Sequence, residues 1–297
     1  LVAGSNPATG AILPRGLTLV SSGFSFLPGA YASMKNLSLM GIVNTTPDSF
    51  AVHCYDDVQG AVKQAIQMLN DGADIVDVGG ESTRPGYTPV SIEEEKRRVI
   101  PVINGIKLAK PEAIVSVDTM KSEVAEEALS CGAEIINDVS GMADKRLGQV
   151  VAASRCKYVY MHGFANHSQV ADIADSRGLY PNGEKQFAAQ FMAELSSGID
   201  HVLAAGVSPS QLIIDPGFGF SKRGLANLWL LNTLPQIREN FRDIPILIGA
   251  SRKHFVCEAM GEEDVVKASV MFAQRAYKLG ATYFRVHDIA PHVNALA

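Results

Sequence analysis

The chain is poor in cysteine. Only Cys54, Cys131, Cys156 and Cys257 occur among 297 residues, and no two of them form a CxxC pair. That scarcity argues against a cysteine-built zinc site or a disulfide scaffold and predicts free thiols in a reducing cytoplasm. Also missing is an uninterrupted apolar run of the ~18 or more residues that a membrane span needs. Positive charge is not in excess: 26 Lys and Arg against 31 Asp and Glu leave a formal charge of −5, so nothing points to a nucleic-acid partner. Residues 1–33 hold no acid and a single base, Arg15, and their apolar stretches are broken by Pro14, Gly16, Gly23 and Pro28. They are expected to form a loose N-terminal extension, with a poor transit peptide as a minor reading, ahead of one domain over residues 34–297.

What is present is an alternation. From Leu37 onward, short apolar runs are separated by longer segments of helical period, the pattern of parallel strands joined by crossover helices. Eight runs qualify: 39–43, 75–78, 114–117, 135–137, 158–161, 212–214, 246–248 and 283–286. Helices are predicted over 58–70, 93–108, 123–130 and 185–205 among the intervening segments. Gly-Ala-polar triplets at Gly72, Gly132 and Gly280 precede three of the runs, where a glycine supplies a left-handed helix cap before a tight turn. The expected fold is α/β, a single (β/α)8 TIM barrel with its active site at the C-terminal rim of the strands.

The residues after each run are unevenly polar. Run one is followed by Asn44-Thr45-Thr46 and then Phe50, run two by Gly79-Gly80-Glu81-Ser82-Thr83-Arg84-Pro85-Gly86, and runs three and four end in Asp118 and Asn137. Runs six, seven and eight lead into Asp215-Pro216-Gly217-Phe218-Gly219-Phe220, Ser251-Arg252-Lys253 and Arg285-Val286-His287-Asp288. Each polar residue alone is more often a turn former or helix cap than a catalyst. Together, Arg84, Arg252, Lys253, Arg285 and His287 give one mouth several cationic donors, and helix N-termini after Thr83 and Ser251 would add backbone N–H groups, which favours a phosphate or diphosphate. Asp118, Asn137 and Asp215 suit the edge of a heterocycle with adjacent N–H groups. Phe218 is as well placed for the core as for a ligand, Phe220 is expected to be more exposed, and Asn44 is an oxygen donor suited to Mg2+.

These blocks resemble the dihydropteroate synthase family from about Leu37 to Ala295, including residues 40–50, 77–86, 215–220, 251–253 and 285–288. The resemblance implies a homodimeric barrel that condenses 6-hydroxymethyl-7,8-dihydropterin diphosphate with p-aminobenzoate, giving 7,8-dihydropteroate and pyrophosphate, by an SN1-like loss of diphosphate. Carried over, Asp118, Asn137, Asp215 and Lys253 bind the pterin; Thr83, Arg84, Arg285 and His287 bind the diphosphate; Asn44 binds Mg2+. Phe50, Arg84, Pro85, Phe220, Ser251 and Lys253 line the p-aminobenzoate wall, and the catalytic set is Lys253, Arg285, His287 and Asp118. The family is cytoplasmic and a sulfonamide target. Two departures stand out: Ala51-Val52-His53-Cys54 replaces a usual Ser-Asp-Gly-Gly stretch, and His254 stands where a serine is frequent. The alternatives are a methyltetrahydrofolate-type pterin methyltransferase and a non-catalytic pterin-binding module.

Overall fold

The computed structural model describes residues 37–45, 58–82, 88–163 and 180–296. Eight parallel strands are present: β1 (Ser38–Asn44), β2 (Ile75–Gly79), β3 (Ile114–Asp118), β4 (Ile135–Asp138), β5 (Lys157–Met161), β6 (Leu212–Asp215), β7 (Leu247–Ile248) and β8 (Tyr283–Val286). Their order is β6-β5-β4-β3-β2-β1-β8-β7. A parallel bridge between Ile214 and Ile246, with the Ile214 N–H donating to the Pro245 carbonyl at 2.9 Å, brings the two edge strands together into a barrel. The run predicted to start at Ile246 is thus a strand only from Leu247, with Ile246 serving as the bridge.

Strand parity decides which residues reach the interior. Side chains alternate across a strand, so residues two apart share a face. Met40, Ile75, Ile135, Val159, Ile213 and Leu247 pack with Tyr283 as the apolar floor inside the barrel. The opposite face, with Val76, Val78, Val115, Val117, Ile136, Tyr158, Leu212, Ile214 and Phe284, joins the large core beneath the surrounding helices. Two residues beyond the floor the same inward face carries Asp77, Asn137, Asp215 and Arg285. The barrel therefore changes from oil-like to ionic within one strand repeat, about 7 Å.

The helices form where the sequence offers both a stripe and a cap. In Ile92–Ala109 the buried Glu95, Val99, Val102, Ile103 and Ile106 recur at helical spacing, Ser91 accepts from the Glu94 N–H, and three glutamates in the first turn complement the helix dipole. Pro101 lies on its exposed side. Val58–Asn70 matches the predicted bounds, while Ile92–Ala109, Ser122–Ser130 and Glu184–Ala204 each begin one residue earlier than the apolar period suggests. Lys145–Ala153, Leu225–Asn240, Phe255–Met260, Val265–Lys278 and Ile289–Leu296 complete the described helices. Gly72, Gly132 and Gly280 have φ of 105°, 98° and 105°, the left-handed conformation expected of them. Among the described residues no helix is long and apolar enough to cross a membrane. Cys131, Cys156 and Cys257 are free thiols.

Candidate active site

Arg285 projects inward from β8 and is held by two carboxylates: its Nε donates to Asp77 Oδ2 at 2.6 Å and its Nη2 to Asp118 Oδ2 at 2.7 Å. Asp77 Oδ2 also accepts from Asn137 Nδ2 at 3.0 Å. Four side chains from β2, β3, β4 and β8 thus form one network across the mouth. Registry explains the convergence, since Gly79, Asp118 and Asn137 sit side by side on adjacent strands. Burial pushes the Asp118 carboxyl upward, against the pull of Arg285, with Asp77, Glu95 and Asp138 adding to the rise. Arg285, clasped by the carboxylates, stays protonated throughout.

On the other side of the mouth, Asp215 ends β6. Its Oδ1 accepts the Gly217 N–H at 2.7 Å, and its Oδ2 lies beside Gly249. Burial raises this carboxyl too, while the Gly217 N–H and the charges of Lys253, Lys222 and Arg285 oppose the rise. Lys253 donates to the Phe218 carbonyl at 2.5 Å, and its ammonium lies 4.3 Å from the Phe220 ring centroid. Burial lowers its pKa to about 8 even though Asp215 pulls the other way. Phe218 itself is in the core, stacked on Phe255 and edge-on to Phe272, so of the two rings only Phe220 borders the mouth. Lys222 is buried beneath the turn and donates to the carbonyls of His162, Gly217 and Phe220 at 3.2, 3.1 and 2.9 Å. Its burial lowers its pKa to about 7.

The remaining candidates divide. Ser251 Oγ and His287 Nδ1 are 3.1 Å apart, and the His287 N–H donates to the same hydroxyl at 3.2 Å, so β7 and β8 present these two residues as a pair. Ser251 does not open a helix, contrary to expectation. The chain turns through Arg252 at φ 58°, and the following helix, Phe255–Met260, is only six residues long. Arg252 is not available to a ligand as expected either: its guanidinium grips Asp288 through Nε at 2.9 Å and Nη2 at 2.5 Å. Asn44 is half-buried at the end of β1, paired with Gly79. Among the described residues no cluster of three or more His, Cys, Asp and Glu could cage a metal. Phe50, Thr83, Arg84, Pro85 and the variant stretch 51–54 lie outside the described residues, and the first described helix after Thr83 starts at Ile92.

Three features escaped the sequence reading. Asp77 was legible in principle, because an acid at inward parity in Ile75-Val76-Asp77-Val78-Gly79 must face the barrel interior. Lys222 carried no such signal; its burial depends on the turn folding back over it. The third is an ionic cluster beside Asp118, in which Lys121 bridges Glu81 and Glu95 next to a small cavity that Asp118, Thr119 and Met120 also line.

Comparison with known proteins agrees with this geometry. The profile of the family described as "Pterin binding enzyme" matches residues 40–287. The chain is 37% identical over 274 residues to the dihydropteroate synthase of Mycobacterium leprae (strain TN), covering 89% of this chain and 93% of that one. It is 35% identical over 274 residues to the dihydropteroate synthase of Escherichia coli (strain K12), covering 91% of this chain and 93% of that protein. Among solved structures, Xanthomonas albilineans dihydropteroate synthase with 4-aminobenzoic acid superposes with a TM-score of 0.76 at 38% identity, over 89% of this chain and 92% of the other. Yersinia pestis dihydropteroate synthase in a sulfonamide drug complex gives 0.77 at 32% identity, over 89% and 93%.

Proposed function

This chain belongs to the pterin binding enzyme family, and we propose that its barrel mouth condenses 6-hydroxymethyl-7,8-dihydropterin diphosphate with p-aminobenzoate, releasing pyrophosphate and 7,8-dihydropteroate as a dihydropteroate synthase in folate synthesis. The observation that carries the reading is the pairing of an acceptor-rich layer, Asp118, Asn137 and Asp215, with cationic groups, Arg285 and Lys253, inside one barrel mouth. The acceptors suit the amino and N–H groups of the pterin edge. The cations suit the diphosphate on one side and an anionic arylamine on the other.

The chemistry follows from charge placement. Loss of diphosphate leaves a positive charge delocalised from the pterin methylene into the ring, and a layer of buried carboxylates stabilises charge of that sign. Arg285 on β8 and His287 just after it, on the strand that pairs with β1, stabilise the departing anion, with Thr83 and Arg84 supplying further contacts. Lys253 and Phe220 form the wall along which p-aminobenzoate lies, together with Ser251, Phe50, Arg84 and Pro85, so that its amine attacks the methylene carbon. The C–O bond to diphosphate breaks, a C–N bond forms, and the arylamine gives up one proton to solvent. No protein nucleophile takes part, so orientation and electrostatics do the work.

Magnesium belongs to this reading. A single neutral amide oxygen, Asn44, does not build a metal cage, but it fits an ion that keeps most of its waters and is shared with a substrate phosphate. When bound, such an ion neutralises charge on the leaving group. A homodimer is also part of the proposal, and sedimentation at micromolar concentration checks it. The deciding experiment gives purified protein both substrates with Mg2+ and measures both products. Stoichiometric pyrophosphate and dihydropteroate support the reading; pterin binding without turnover would make the protein a non-catalytic pterin-binding module. A sulfonamide should compete with p-aminobenzoate and not with the pterin.

A further inference from the structure

Asp77 has no part in the reaction as described, yet it is the most enclosed acid of the mouth and touches two residues that do. It is fully buried, and its Oδ2 accepts both the Arg285 Nε–H at 2.6 Å and an Asn137 Nδ2–H at 3.0 Å. A carboxylate that binds a guanidinium can only accept. The amide of Asn137 must therefore turn its NH2 toward Asp77, which leaves Oδ1 as the end a ligand meets. Among the described residues no donor reaches that oxygen, and it is not among the sealed, unpartnered atoms of the interior.

We infer that Asp77 is a positioning residue that sets ring specificity: by holding the Asn137 amide with its oxygen toward the mouth, it makes Asn137, like Asp118 and Asp215, an acceptor. The edge that reads the heterocycle is then built of acceptors from three strands. It favours a ring presenting donors, such as a 2-amino-4-oxopteridine, and opposes one presenting a carbonyl oxygen at the same place. Two acceptors facing each other leave a buried polar group unpaired, which costs more than a merely absent hydrogen bond. Asp77 also steadies Arg285, but Arg285 keeps a second anchor in Asp118, whereas among the described residues Asn137 Nδ2 has Asp77 as its one side-chain partner. Orientation of the amide is thus the function that Asp77 alone performs.

The inference rests on the pterin assignment proposed above, and the test separates the two. Calorimetry compares a 6-hydroxymethyl-2-amino-4-oxopteridine with its 2,4-dioxo counterpart on the intact protein and on Asp77→Asn. An asparagine at 77 can donate as well as accept, so the Asn137 amide is free to turn over. The unaltered protein should prefer the amino ring, and Asp77→Asn should reduce that preference about tenfold while leaving the KM for p-aminobenzoate in place. If the variant keeps the full preference, or loses affinity for both rings by the same factor, Asp77 has no orienting role. Should the unaltered protein bind neither ring, the pterin assignment falls, and the inference with it. If Asp77→Asn does not fold, the Asn137 side-chain amide protons of the unaltered protein decide. They should exchange slowly with solvent before ligand is added; rapid exchange would overturn the inference.

Discussion

At Asp215 one carboxylate oxygen is satisfied by a backbone N–H and the other borders the open mouth next to Gly249, a position with no side chain to cover it. Substitution by asparagine keeps the shape but replaces a charge-assisted acceptor with an amide that can present the wrong end. Pterin binding by Asp215→Asn is expected to weaken by about 1.5 to 3 kcal/mol, read by calorimetry; unchanged affinity would remove Asp215 from the ring site. Lys253 supplies a pH test. Burial holds its folded pKa near 8, below the ordinary 10.5, so between those values the folded protein has lost an ammonium that the unfolded chain retains. The unfolded state then binds more protons, and this group makes the fold more stable as pH rises through that interval. Binding runs the opposite way, because the neutral amine no longer attracts a carboxylate. The KM for p-aminobenzoate should therefore climb as pH rises through about 8, while the KM for the pterin diphosphate follows less steeply. A flat p-aminobenzoate profile to pH 9.5 would place the carboxylate elsewhere.

Between β6 and the helix Leu225–Asn240, the turn through Gly217 and Gly219 is the element that joins pterin-side and arylamine-side groups. Its positive φ values, 74° and 78°, come with close approach: a Cβ on Gly217 would lie 2.0 Å from the His162 carbonyl oxygen. Gly183, at φ 68° ahead of the helix Glu184–Ala204, has the same backbone handedness but nothing within 4 Å. The pair separates strain from collision. Gly183→Ala, at φ 68° and ψ −146°, should cost about 1 to 3 kcal/mol, the penalty of a glycine-only backbone region alone. Gly217→Ala should cost at least about 2 kcal/mol more, because backbone must move. Urea unfolding midpoints measure both, and equal losses would show that the turn gives way easily. This element also shows what sequence could and could not deliver. Strand runs and their polar ends were legible because burial on both faces leaves a continuous apolar signature, and the DPGFGF block announced a turn through its glycines. Lys222 was not legible, since three carbonyls brought together by that turn create its binding place. Arg252 misled for a related reason: a cation next to the mouth in sequence is spent on Asp288, a contact that exists only once β7 and β8 lie side by side.

For the molecule as a whole, the balance of charge in the mouth determines how ligands change its stability. The described residues supply Asn44 as a neutral oxygen at the end of β1 and no metal-caging cluster, while Arg285 is already engaged by two carboxylates. A divalent cation on its own gains little from one amide in exchange for its hydration. Pyrophosphate on its own brings a high negative charge toward a layer that contains Asp77, Asp118 and Asp215 as well as cations, so attraction and repulsion partly cancel. Together, the ion screens the anion from those carboxylates, and the anion supplies the ion with oxygen ligands. Stabilisation by a ligand that binds only the folded state grows with its occupancy, reaching about 2.7 kcal/mol at a hundred times Kd. The thermal midpoint should accordingly rise clearly with Mg2+ and pyrophosphate in combination and much less with either one. Asn44→Ala should diminish the combined shift without altering that produced by a diphosphate-free pterin, because the ring layer lies on other strands. A full shift from Mg2+ alone would reveal a metal site built by the protein, and the assignment of Asn44 as a donor shared with the leaving group would then be wrong.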